Sequence, residues 1–142
     1  MAGYMTKLQG YLYEGEKVNG TAAAVQNGVL LVAGTSTNAG KLVAPASADT
    51  TTKLLCKEVT NIYGVTAYRF EVAKLADNYY FVENGFEYND DEEYNLTTYT
   101  TAVGKRLRAH PLVVGEEFVT SAVSGTPAVG TAYGVTTAGL VG

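Results

Sequence analysis

The sequence predicts a mainly β fold, a small sandwich or barrel of short antiparallel strands with at most one or two short helices. Three observations carry that expectation. Asn-Gly pairs sit between apolar or aromatic runs, the signature of tight hairpin turns in which both residues tolerate positive φ. The runs themselves are rich in Val, Thr, Tyr and Phe, residues that suit a pleated, half-buried surface. Helical periodicity is weak throughout.

The elements follow in chain order. Residues 1–20 read as an extended arm within a single β-rich domain of 1–142. Asn19-Gly20 is a candidate turn, and Asn27-Gly28 a stronger one, placed between Ala22-Ala23-Ala24-Val25 and Val29-Leu30-Leu31-Val32. Residues 51–59 read equally as a short helix or a strand. Residues 63–75 alternate in part, with Val65, Ala67 and Arg69 set against Tyr68, Phe70 and Val72, which favours a strand. Asn84-Gly85 separates Tyr79-Tyr80-Phe81-Val82-Glu83 from Phe86-Glu87-Tyr88 and predicts a second hairpin. Leu112-Val113-Val114 and residues 118–123 flank Gly115-Glu116-Glu117. Ser124-Gly125-Thr126-Pro127 is a turn, and residues 131–136 and Leu140-Val141 close the chain as short strands.

Composition narrows the function. At 142 residues the chain suits one domain and buries roughly 68–70% of its unfolded surface, enough for a core without staples. Hydrophobic residues make up 46% and charged residues 17%, so small polar residues and tyrosine must cover the exterior, as in a protein packed against other subunits. A net charge of −4 with scattered basic residues speaks against a nucleic-acid partner. No apolar run approaches the ~20 residues that span a bilayer, and the N-terminus has no secretory pattern, which places synthesis in the cytoplasm and leaves no membrane partner. The single cysteine allows no internal disulfide.

Motifs that could carry chemistry fall short. Residues 34–41 imitate a phosphate-binding loop, but five residues separate Gly34 from Gly40, and Leu42 stands where a magnesium-binding Ser or Thr is required. The acidic run Asp90-Asp91-Glu92-Glu93 lacks the glycine and distal glutamate of a calcium loop and reads as a solvated turn or charged contact. Lone His110 has no evident nucleophile or orienting acid. Cys56 lies between Lys53 and Lys57 but beside Leu54 and Leu55, which favours a buried, inert thiol. One His and one Cys cannot build a zinc site of the usual type. No catalytic, cofactor-binding or metal-binding residue is assigned, no cofactor is expected, and the chain does not read as an enzyme. Sequons at Asn19 and Asn95 are taken as chance.

The unusual enrichment is tyrosine. Seven of the eleven, Tyr63, Tyr68, Tyr79, Tyr80, Tyr88, Tyr94 and Tyr99, fall in residues 51–103. Tyrosine gives large contact area with a polar tip, which suits an interface or the stacking of a sugar ring, and equally suits a lined sheet face. The candidate partner-binding set is Tyr4, Leu8, Tyr11, Leu12 and Tyr13 in the arm, with Tyr79, Tyr80, Tyr88 and Tyr94.

Gly15-Glu16-Lys17-Val18-Asn19-Gly20-Thr21, Val25-Gln26-Asn27-Gly28-Val29-Leu30-Leu31-Val32 and Gly40-Lys41-Leu42-Val43-Ala44-Pro45-Ala46 resemble the small head proteins of tailed bacteriophages. Val114-Gly115-Glu116-Glu117-Phe118-Val119 and Gly125-Thr126-Pro127-Ala128-Val129-Gly130 have the same look. The family resembled is the capsid decoration proteins, also called cement or auxiliary head proteins. The likeness lies at both ends of the chain and contains no diagnostic motif. It implies a structural virion protein on the capsid exterior of a viral head, bridging major capsid proteins, with self-association a further expectation. The alternatives are a carbohydrate- or receptor-binding module on the virion surface and a tail or head-completion subunit.

Overall fold

The computed structural model describes residues 3–5, 25–36, 41–62, 64–83, 100–101 and 109–142. Among the described residues eleven strands run in chain order: β1 (Gly3–Met5), β2 (Val25–Gln26), β3 (Leu30–Ala33), β4 (Leu42–Val43), β5 (Asp49–Ile62), β6 (Val65–Lys74), β7 (Tyr80–Val82), β8 (Thr100–Thr101), β9 (Ala109–Pro111), β10 (Glu117–Thr120) and β11 (Ala132–Val135). Among the described residues there is no α-helix. The fold is mainly β and sandwich-like, as the turn signals and β-branched runs predict.

One sheet has five strands in the order β1-β10-β6-β5-β11, and a second has four in the order β4-β3-β7-β9. β2 and β8 form a separate two-stranded pair. All these pairings are antiparallel. The sheets end in edge strands rather than closing into a barrel.

The backbone of the larger sheet is the β5–β6 hairpin, in register from Lys53↔Lys74 to Ile62↔Val65. Residues 51–59, ambiguous in the sequence, are therefore strand. Thr52, Leu54 and Cys56 alternate inward from β5, and Tyr68, Phe70 and Val72 answer from β6. β10 adds Phe118 opposite Phe70. From the smaller sheet, Leu30 and Phe81, paired in register, face the same cluster. The Phe81 and Phe118 rings meet across the two sheets at 5.1 Å between centroids, and Phe70 stacks at 5.7 Å on Phe118. Each fully buried side chain of this size contributes about 1.5–3 kcal/mol, which makes this seam the main cohesion between the sheets.

The smaller sheet is apolar on both faces. Leu31, Val82 and Ala109, alternating with the residues of the main core, pack with Val29, Leu42 and Ala122 in a second cluster. This explains the unbroken apolar run Val29-Leu30-Leu31-Val32, since a strand buried on both sides does not alternate.

One turn departs from the sequence expectation. Asn27-Gly28 is a turn, with Gly28 at φ 89°, yet it does not make a hairpin. β2 leaves to pair with β8, while β3 pairs with β4 and β7. The turn is stitched instead to β7: the Gly28 amide donates to the Val82 carbonyl at 2.8 Å, and Asn27 is fully buried. A turn dipeptide sets a reversal of the chain but not the partner of each arm. The candidate turns at Asn19-Gly20 and Asn84-Gly85 lie outside the described residues.

Candidate functional site

Asp49, half-buried at the start of β5, organises a polar cluster beside the core. Its Oδ1 accepts the Thr51 and Thr52 amides at 2.9 and 3.0 Å. Its Oδ2 accepts the Thr52 and Tyr79 hydroxyls, both at 2.6 Å. The buried Thr52 hydroxyl in turn accepts the Ala76 amide at 2.9 Å, tying β5 to the segment before β7. Burial alone would raise the Asp49 pKa, but the Thr52, Tyr79 and amide donors more than offset it and hold the carboxyl at about 2. Burial, and then the Asp49 charge, push the Tyr79 hydroxyl well above its ordinary range.

A shallow cleft of about 320 Å³ opens beside this cluster, lined by Val32, Pro45, Ala46, Asp49, Asp77 and Tyr79 among others. The Asp49 carboxylate already accepts four donors, so it is committed to holding the fold rather than offered to a ligand. Asp77 is exposed and caps its neighbour, accepting the Asn78 amide at 2.7 Å.

The other titratable candidates are placed as follows. Cys56 is fully buried. Burial pushes its thiol up, only partly offset by a backbone hydrogen bond from Glu58, which leaves little nucleophilic thiolate. His110, on β9, has Nε2 at 3.9 Å from Glu116 Oε2, too long for a hydrogen bond. Gly34 and Lys41 do not cradle a phosphate: the Gly34 amide donates to the Lys41 carbonyl at 2.8 Å, and β4, not a helix, follows. Among the described residues no three His, Cys, Asp or Glu side chains gather as a metal site.

Among the described residues, Tyr68 and Tyr79 do not form a contact surface. Tyr79, a candidate partner residue, is 2% exposed and its hydroxyl is held by Asp49, so it is a core residue with no surface to offer. Tyr68 is likewise in the core. Tyr80 is half-buried and packs against the second cluster. Alternation signals which residues share a face but not which face is buried, and here Tyr68 and Tyr79 took the inner one. Tyr4 lies in β1, opposite Val119 of β10. Leu8, Tyr11, Leu12, Tyr13, Tyr88 and Tyr94, and the acidic run 90–93, lie outside the described residues.

What faces outward is of another kind. The far side of the β5–β6–β10 sheet carries an ion-pair ladder, Arg69 with Glu58 at 3.2 Å and with Glu117 at 3.1 Å, and Lys57 with Glu71 at 3.7 Å. Val113 and Val114, each 56% exposed, form the tip of a tight turn closed by the Glu116 amide on the Val113 carbonyl. Val59 and Val129 are also exposed. The apolar run Leu112-Val113-Val114 gives no sign that its last two residues form an exposed tip, although Gly115 beside them was the available signal. Compared with family models, curated proteins and solved structures, the chain matches none of them.

Proposed function

We propose that this chain is a structural virion protein that binds the outer surface of a phage capsid and stabilises contacts between major capsid proteins. The observation that carries the reading is how the polar chemistry is spent. The half-buried Asp49 carboxylate is saturated by four internal donors, while edge strands and a valine-tipped turn face outward. A surface of many weak contacts suits a partner repeated by symmetry, where avidity replaces individual affinity. Sparse charge and abundant small residues allow close backbone approach. The likeness of both chain ends to decoration proteins points the same way.

Co-sedimentation of the purified protein with undecorated phage heads tests this. Saturable binding at a fixed ratio to the major capsid protein is the expected result. No binding by a monodisperse monomer would sink it and move attention to glycan or receptor recognition, whereas rings of purified protein would point to a tail or head-completion part.

A further inference from the structure

The cleft beside Asp49 has apolar walls: Val32 of β3, Pro45 and Ala46 after β4, Ala48 before β5 and Ala76 after β6. Two carboxylates, Asp49 and Asp77, share its lining, and among the described residues no Lys, Arg or His does. Its volume of about 320 Å³ lies at the low end of the roughly 300–1,000 Å³ of ligand clefts, which suits one long side chain rather than a length of chain.

The two carboxylates differ in what they still offer. Asp49 has its oxygens filled by two amides and two hydroxyls, all of them neutral donors. Such bonds satisfy the oxygens without cancelling the charge. With the carboxyl held at about 2, that charge is present throughout the neutral range. Asp77 is exposed and spends Oδ1 on the Asn78 amide, which leaves Oδ2 open. Among the described residues no cation pairs with either. Arg69 is taken by Glu58 and Glu117, Lys57 by Glu71, and the Lys53 ammonium donates to the Thr50 carbonyl at 3.0 Å. The cleft therefore joins apolar walls to two uncompensated negative charges. That is the complement of a long cationic side chain, whose methylenes lie along apolar surface while its head stays with charge and water.

We propose that this cleft receives a lysine side chain from a protein partner, with the four-carbon stem along Val32, Pro45 and Ala76 and the ammonium on Asp77 within the field of Asp49. Lysine fits better than arginine, because a compact ammonium needs one open carboxylate oxygen, whereas a guanidinium is best met by two in parallel. This deepens the capsid reading by naming the chemistry its partner presents, yet the cleft is testable without capsids.

Nα-acetyl-lysine methylamide is titrated into the full chain at low ionic strength, where charge is least screened, and amide chemical shifts are followed. Saturable shifts at residues 46–49 and 76–79 are expected. Asp77→Asn keeps the oxygen that caps Asn78 and should weaken that saturation about two- to fivefold, the value of one exposed charge pair. Nα-acetyl-norleucine methylamide, which has the stem without the ammonium, should not saturate the same amides. Equal saturation by the norleucine compound, or lysine-compound shifts that Asp77→Asn leaves unchanged, overturns the proposal. A second arm tests the partner. Asp77→Lys should lower co-sedimentation with phage heads while leaving the thermal midpoint unchanged, since Asp77 is exposed. If heads bind Asp77→Lys as well as they bind the parent, the proposal fails and the capsid reading stands. If the lysine compound saturates the cleft and heads do not bind the parent, the capsid reading fails and the cleft keeps its lysine specificity.

Discussion

Asp49 gathers two amides and two hydroxyls on one carboxylate, and the Tyr79 phenol is the donor that comes from farthest along the chain. Tyr79→Phe keeps the ring in the core and removes only the donor, so it isolates a hydrogen bond to a charged group, worth about 1.5–3 kcal/mol. A lower urea midpoint with unchanged slope is expected; a midpoint equal to the parent's would show the bond contributes nothing net. The pH dependence follows from the sign of the shift. Asp49 is held at about 2, below its ordinary 3.8, so its stabilisation is full above pH 3.8 and is lost as pH falls toward 2. Discounted for the partial exposure of the carboxyl, the loss is about 1 kcal/mol. Asp49→Asn should be less stable at pH 6 and lose less between pH 6 and 2.5 than the parent, as read by chemical denaturation. A matching acid slope in both proteins would assign the acid limb to other carboxylates. On the alkaline side the sign reverses. Tyr79 stays protonated in the fold while an unfolded tyrosine ionises near pH ~10, so stability declines above that value.

The β5–β6 hairpin shows what was legible in the sequence at the level of elements and what was not. Residues 63–75 were readable as a strand because Tyr68, Phe70 and Val72 alternate inward, and they do so in β6. Residues 51–59 were not, because the alternation is interrupted. In β5 the register shifts between Cys56 and Glu58, where Lys57 has no opposite residue, whereas the shift at Lys53 and Leu54 leaves out Ala73 of β6 and spares the Thr52, Leu54, Cys56 alternation. The Lys57 bulge moves the following side chains by one position, so a strict period of two fails across it. Val59 thus pairs with Tyr68 yet remains 51% exposed. For the candidate site, the inertness of Cys56 and the failure of the phosphate-loop imitation were readable from neighbours and spacing. The Asp49–Tyr79 bond was not, because it joins residues thirty positions apart. β11 carries a third irregularity, between Tyr133 and Val135. A Cβ added to Gly134 would collide with the Asp49 carbonyl oxygen, a backbone atom that cannot rotate away. Gly134→Ala should therefore part β11 from β5 at a cost of about 1–3 kcal/mol, with hydrogen exchange accelerated at Gly130 and Cys56, whose amides join the two segments, before the rest of the sheet. Exchange rates unchanged at both amides would show that the edge strand shifts freely.

At the scale of the whole molecule, the apolar residues that hold the sheets together are separate from those that face outward, so stability and binding should be separable by mutation. Phe118 is fully buried and touches rings from both sheets. Phe118→Ala should cost about 3–5 kcal/mol, a large share of the 5–15 kcal/mol that keeps a domain folded, and any loss of capsid binding would follow from unfolding. Val113 and Val114 stand at a turn closed by a main-chain bond, from the Glu116 amide to the Val113 carbonyl, that does not involve their side chains. Replacing both with Ser deletes exposed methyls, which shifts stability by no more than about 0.5 kcal/mol per site. If the tip seats against the shell, the same change weakens each contact by roughly the hydrophobic value of the lost area, about 25 cal/mol per Å². Multivalent attachment of the kind proposed would repeat that small loss at every copy and compound it through the lattice. The expected outcome for Val113→Ser/Val114→Ser is an unchanged thermal midpoint together with reduced co-sedimentation with phage heads. Full retention at an unchanged midpoint would remove this turn from the proposed interface and leave the sheet edges, where main-chain pairing needs no valine, as the candidate surface.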